Sequence, residues 1–154
     1  MSAVKARLYD PRDEAELVRL AAEAMPGWIR LRYDYAVGYA EAESLKGDSE
    51  IVVVEDADGH VAGCGTRSTR LLYLDGEPRR VGYLSGLRSF AGARGGFGLF
   101  RGFAKIRELE RANPNELTFT TILDGNPAGR ALLTSGRAGL PTYRSRGKPT
   151  LPML

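Results

Sequence analysis

The stretch Val81–Ala112, VGYLSGLRSFAGARGGFGLFRGFAKIRELERA, constrains this chain more than any other. Val81–Ser89 reads as a strand, Phe90–Gly98 as a glycine- and arginine-rich turn, and Phe97 to Ala112 as a long helix. Leu99, Phe103, Ile106 and Leu109 recur near helical spacing. A strand that feeds a helix through glycines can cradle an anion. Glycine lets the backbone come close to a ligand, and a helix N-terminus presents unpaired N–H groups and a partial positive charge. Arg94 and Arg101 add fixed charge. The turn therefore reads as a grip for a pyrophosphate, with an ordinary surface turn as the alternative.

The flanking segments supply the partners for such a unit. Val4–Tyr9 alternates as a strand does, and Asp10-Pro11-Arg12-Asp13 is a helix start, with Asp10 as cap and Pro11 at the first position. Leu17, Leu20, Ala21 and Ala24 give that helix an apolar face, and Pro26-Gly27 ends it. Trp28–Ser44 predicts a second helix, because Leu31, Tyr35 and Tyr39 lie four apart, although Gly38 weakens it. Glu50–Glu55, Val61–Leu74 and Val81–Ser89 are strands joined by the hairpin signals Asp58-Gly59 and Asp75-Gly76. Gly63 and Gly65 invite a bulge. After the long helix, Leu117–Leu123 is a β-branched strand, Asn126 and Pro127 open a short helix over Ala128–Ser135, and Leu140–Leu154 is a final extended segment. His60 is expected in a solvated turn, and Cys64 as a buried, inert thiol.

The order is strand, two helices, three antiparallel strands, helix, strand, helix, strand. A strand–helix–strand crossover joins parallel strands, so an antiparallel meander feeding it gives an α/β (α+β) fold. Its central sheet is mixed but mainly antiparallel, with helices on both faces. At 154 residues, 1–154 is expected to form a single domain with a real core. One cysteine excludes an internal disulfide and suits a reducing compartment. The N-terminus lacks a signal-peptide pattern and no apolar run approaches membrane length, so a cytoplasmic protein with no membrane partner is expected. The net charge of +3 is too small to argue for nucleic acid by itself.

With these elements in place, the chain resembles the GNAT-type, acetyl-CoA-dependent N-acetyltransferase superfamily. Leu87-Arg88-Ser89 matches its central strand. Arg94-Gly95-Gly96-Phe97-Gly98-Leu99 matches its Arg/Gln-x-x-Gly-x-Gly/Ala loop, with Phe97 and Leu99 at the family's small positions and the glycines one place early. A second block, Thr118–Gly139, is similar to the family's strand followed by an Asn-x-x-Ala helix, with Asn126 as the asparagine and Gly129 in place of alanine.

The resemblance implies acetyl-CoA as co-substrate, with no metal. The cofactor would be held by Leu87, Arg88, Ser89, Arg94, Gly95, Gly96, Phe97, Gly98, Leu99 and Asn126. It implies direct attack of a small-molecule or peptide amine in a ternary complex, with a backbone N–H of Leu87 or Ser89 stabilising the oxyanion. The family's usual tyrosine acid falls on Leu133, which leaves Tyr143 as acid or as a packed tyrosine. Asp124 and Glu116 flank the neighbouring strand. Asp124 is the candidate base or a turn former. Two alternatives stand beside the enzyme: a non-catalytic acyl-CoA-binding or regulatory module, and a basic RNA-binding module built on Arg130, Arg137, Arg144, Arg146 and Lys148. Nucleic acid is not the expected partner, and a homodimer is allowed.

Overall fold

The computed structural model describes residues 4–23, 32–90, 97–137 and 140–148. The chain runs β1 (Lys5–Leu8), a 3-10 turn (Pro11–Asp13), α1 (Glu14–Ala22), α2 (Tyr39–Ser44), β2 (Asp48–Glu55), β3 (Val61–Leu74), β4 (Glu77–Ser89), α3 (Phe97–Ala112), β5 (Leu117–Thr120) and α4 (Pro127–Leu133). The strands form one sheet in the order β1-β2-β3-β4-β5. Neighbours are antiparallel except β4 and β5, which are parallel across the α3 crossover. This is the mixed, mainly antiparallel sheet that the sequence predicts.

Successive residues of β3 show how the layers stack, since neighbouring side chains leave a strand on opposite faces. The Cys64 thiol meets the Tyr39 hydroxyl of α2 at 3.4 Å. A Cβ on Gly65 would meet Ile106 of α3 at 4.0 Å. Helices therefore cover both faces. Leu17, Leu20 and Ala21 of α1 pack with Tyr39, Ile51, Val53, Val61 and Cys64 on the first face. On the second, α3 lies close because Gly98 and Gly102 have no side chain. A Cβ on either would sit 3.4 Å from Val54.

Local signals account for the turns. Asp10 caps the first helical turn in a reciprocal capping box with Asp13. Asp75 and Gly76 hold φ of 53° and 82°, the paired positive values of a type I′ hairpin turn.

Three expectations are corrected. The second helix spans only Tyr39–Ser44 among the described residues. Gly38 at φ 97° breaks the helical path, so Tyr35 lies in the connection ahead of it. Leu31 and Trp28 fall outside the described residues. The strand expected through Leu123 stops at Thr120, where its pairing with β4 ends at Leu84. Residues 140–148 form no strand.

Arg7 ties β1 to the first helical turn and to β2. Its guanidinium donates to Asp13 at 2.6 and 2.8 Å and to Glu55 at 2.7 Å. These hydrogen bonds outweigh burial and hold both carboxyls below their ordinary values of 3.8 and 4.5. Depressed carboxyls stabilise the fold fully above their ordinary values, and that stability is lost as pH falls through the folded ones. The stability gap between wild type and Arg7→Met should thus be wide at neutral pH and shrink below about pH 4. Urea melts across pH check this, and a gap that does not change with pH would contradict it.

Candidate active site

The sheet opens at one place. The parallel ladder pairs Val81–Leu84 with Leu117–Thr120 and goes no further, although β4 continues to Ser89. Thr120 closes its last rung, donating to the Leu84 carbonyl at 2.7 Å. Among the described residues, Ser85–Ser89 has no strand partner on that side. Buried or half-buried backbone groups need partners, so this edge is a ready receptor for an extended chain or arm.

The parting begins at a bulge. Cys64 pairs with Arg88 and Thr66 with Ser85, so Gly86 and Leu87 together face Gly65. Gly86 takes φ 64°, a value that suits glycine. The bulge re-aims the backbone of Leu87, Arg88 and Ser89, and β4 then leads to the α3 N-terminus at Phe97.

Leu87 is exposed, and a Cβ on Gly65 would meet its side chain at 3.9 Å. Arg88 does more than its backbone role. Its guanidinium donates to the carbonyls of Leu20 at 3.3 Å and Glu23 at 2.8 Å, capping the C-terminal end of α1. It also stacks over the Tyr33 ring at 5.3 Å.

Arg94, Gly95 and Gly96 lie outside the described residues, as does the side chain of Phe97. Gly98 and Leu99 sit in the first turn of α3. The Asn126 side chain accepts from the Gly129 N–H at 2.9 Å and caps α4.

Asp124 is exposed and paired with Arg130 at 2.6 Å and Lys148 at 3.2 Å. These partners, Arg130 first, hold its carboxyl below the usual range. That is the setting of a turn carboxylate rather than of a group poised to take a proton. Tyr143 is half-buried, and burial raises its hydroxyl. Leu133, where the resemblance would put the acid, is buried. His60 is exposed beside its turn, with Glu16 at 3.5 Å. Burial pushes the Cys64 thiol up to about 11.

A polar cluster behind the bulge was not read from the sequence. Glu43 is fully buried. Its Oε1 accepts from Lys46 at 2.6 Å and Tyr35 at 3.2 Å. Lys46 also reaches Ser85 at 3.3 Å. Tyr39, Glu43 and Lys46 recur at helical spacing, a signal that could have joined them. A buried glutamate is rare enough that nothing in the sequence marks Glu43 as one.

No family model and no curated sequence matches the chain. Solved structures do match its shape. An acetyltransferase from Trypanosoma brucei aligns over 99% of this chain and 100% of its own, with TM-score 0.67 and 16% identity. A GNAT family acetyltransferase from Staphylococcus aureus covers 100% of both, with TM-score 0.63 and 14% identity. A transcriptional regulator from Bacillus halodurans covers 99% and 100%, with TM-score 0.71 and 18% identity. The chain thus has the fold of the GNAT acetyltransferases, and identities at this level establish the fold alone. No helix among the described residues is long and apolar enough to cross a membrane.

Proposed function

We propose that this chain transfers an acetyl group from acetyl-CoA to a primary amine of a small molecule or peptide, by direct attack in a ternary complex. The observation that carries the reading is the edge of β4 from Ser85 to Ser89, without a strand partner on its β5 side among the described residues and beginning at a bulge. Acetyl-CoA supplies the activated thioester. Backbone groups of Leu87, Arg88 and Ser89 would pair with its pantetheine arm, and Arg94 with the N-terminal turn of α3 would hold its pyrophosphate. An N–H of Leu87 or Ser89 is the oxyanion donor in this reading. Holding both reactants beside this edge converts a bimolecular attack into a local one. The single buried Cys64 suits a cytoplasmic enzyme.

A second reading, a non-catalytic acyl-CoA binder, is favoured by Leu133. A buried leucine cannot protonate a leaving thiolate. Thiol release from acetyl-CoA, followed across a panel of amino acids, spermidine and lysine peptides, separates the two. Acceptor-dependent release supports the enzyme. Tight acetyl-CoA binding without release supports the binder.

A further inference from the structure

The glycine of the β4 bulge faces two buried polar atoms that no group among the described residues satisfies. Glu43 spends its Oε1 on Tyr35 and Lys46, while Oε2 has no hydrogen-bond partner. Thr66 Oγ1 has none either. A Cβ built on Gly86 would stand 3.2 Å from the Tyr39 hydroxyl, 3.5 Å from Thr66 Oγ1 and 3.9 Å from Glu43 Oε2. The unsatisfied atoms therefore converge on Gly86, which carries no side chain. Leaving a buried carboxylate oxygen without a donor is costly, and such a cost persists where a ligand supplies the donor.

We propose that Glu43 Oε2 receives the acceptor amine, first as the partner of its ammonium and then as the acceptor of its proton. The assignment rests on the acetyl-transfer reading. The amine approaches from the bulge side, next to the free edge of β4. As the C–N bond forms the thioester C–S bond breaks. Of the two protons the ammonium gives up, one passes to Glu43 and the other to the departing sulfur.

The surrounding groups leave this role to Glu43. Tyr35 and Tyr39 face it from the α2 side, and burial, more than the neighbouring charges, raises both hydroxyls. Cys64 faces it from β3 with its thiol at about 11. None of these three is deprotonated at neutral pH. Lys46 pairs with the Glu43 carboxylate at 2.6 Å, and Arg88, from β4, acts on the neighbouring Tyr35 and Cys64.

Glu43→Gln tests the assignment, because its amide oxygen keeps acceptors for Tyr35 and Lys46 but its nitrogen cannot take a proton. The best amine from the panel above serves as probe. The expected result is a fall in kcat of about a hundredfold or more, with acetyl-CoA affinity within about twofold of wild type and the acid limb of the kcat/KM profile lost. Glu43→Asp, which keeps the carboxylate but withdraws it, should retain that limb and lose about tenfold in kcat. It decides the matter should the glutamine variant fail to fold. Either variant turning over like wild type, with an unaltered pH profile, overturns the assignment and leaves acetyl transfer standing. A wild-type chain that acetylates none of the panel removes the underlying reading and this assignment with it.

Discussion

Arg67→Ala should destabilise the fold by about 3 kcal/mol, the lower end of the range for breaking a buried ion pair. Arg67 is 1% exposed, in the middle of β3 on the α3 face. Its Nε donates to Glu110 at 2.7 Å, and its two terminal nitrogens reach Glu50 of β2 and the Asn113 carbonyl at the end of α3. Glu110 in turn accepts from the Asn115 backbone at 2.8 Å. One guanidinium thus pins the C-terminal end of α3, and the turn into β5, onto the sheet. Removing it leaves two carboxylates and a carbonyl without their donor. The carboxylates are 30% and 32% exposed, so water relieves part of the cost and places the effect at the lower end. Denaturant unfolding measures it. A loss below about 1 kcal/mol, as for a surface pair, would show that Arg67 does not hold the crossover.

Gly86→Val should cost about 3 kcal/mol as well, from a left-handed backbone worth about 1–2 kcal/mol and overpacking worth about 1–3 kcal/mol. The bulge needs φ 64°, and any Cβ there stands 3.2 Å from the Tyr39 hydroxyl. Gly86→Asn separates the two causes, since asparagine tolerates the left-handed region. It should lose only the packing part. Equal losses in the two variants would mean that crowding, not backbone conformation, selects glycine here.

Much of the frame was legible in the sequence. Alternation, the Asp58-Gly59 and Asp75-Gly76 turns and the apolar spacing of α3 point to local choices that the packed fold keeps. The misreadings share a cause. Leu31, Tyr35 and Tyr39 have helical spacing, but Gly38 takes a positive φ and the helix starts only after it. Leu117–Leu123 has strand composition throughout, yet a strand lasts only as long as its pairing, and the ladder with β4 ends at Leu84. Pairing is a property of two segments, so composition of one cannot set its length.

The site divides the same way. The place of β4 ahead of α3 was readable because a strand, a glycine-rich stretch and a helix follow one another directly in the sequence. Gly98 was read as part of the phosphate loop, and in the structure it lets α3 close onto Val54. The cluster of Glu43, Lys46, Tyr35, Thr66 and Gly86 was invisible, because its members come from four separate segments. Only the folded sheet brings them to one bulge. Arg88 was assigned through its backbone alone, since nothing near it in sequence identifies the α1 carbonyls that its side chain caps.

The central claim is that the free edge of β4 and the loop after it bind an acyl-CoA. Calorimetric titration of the wild-type chain and of Arg94→Ala with acetyl-CoA and with free CoA tests it most directly. The account predicts saturable binding of both ligands by wild type. It predicts a loss of about 1.5 kcal/mol or more in the variant, the worth of a charge-assisted hydrogen bond to phosphate. A wild-type chain that binds neither ligand, or a variant that binds both as tightly as wild type, would contradict it.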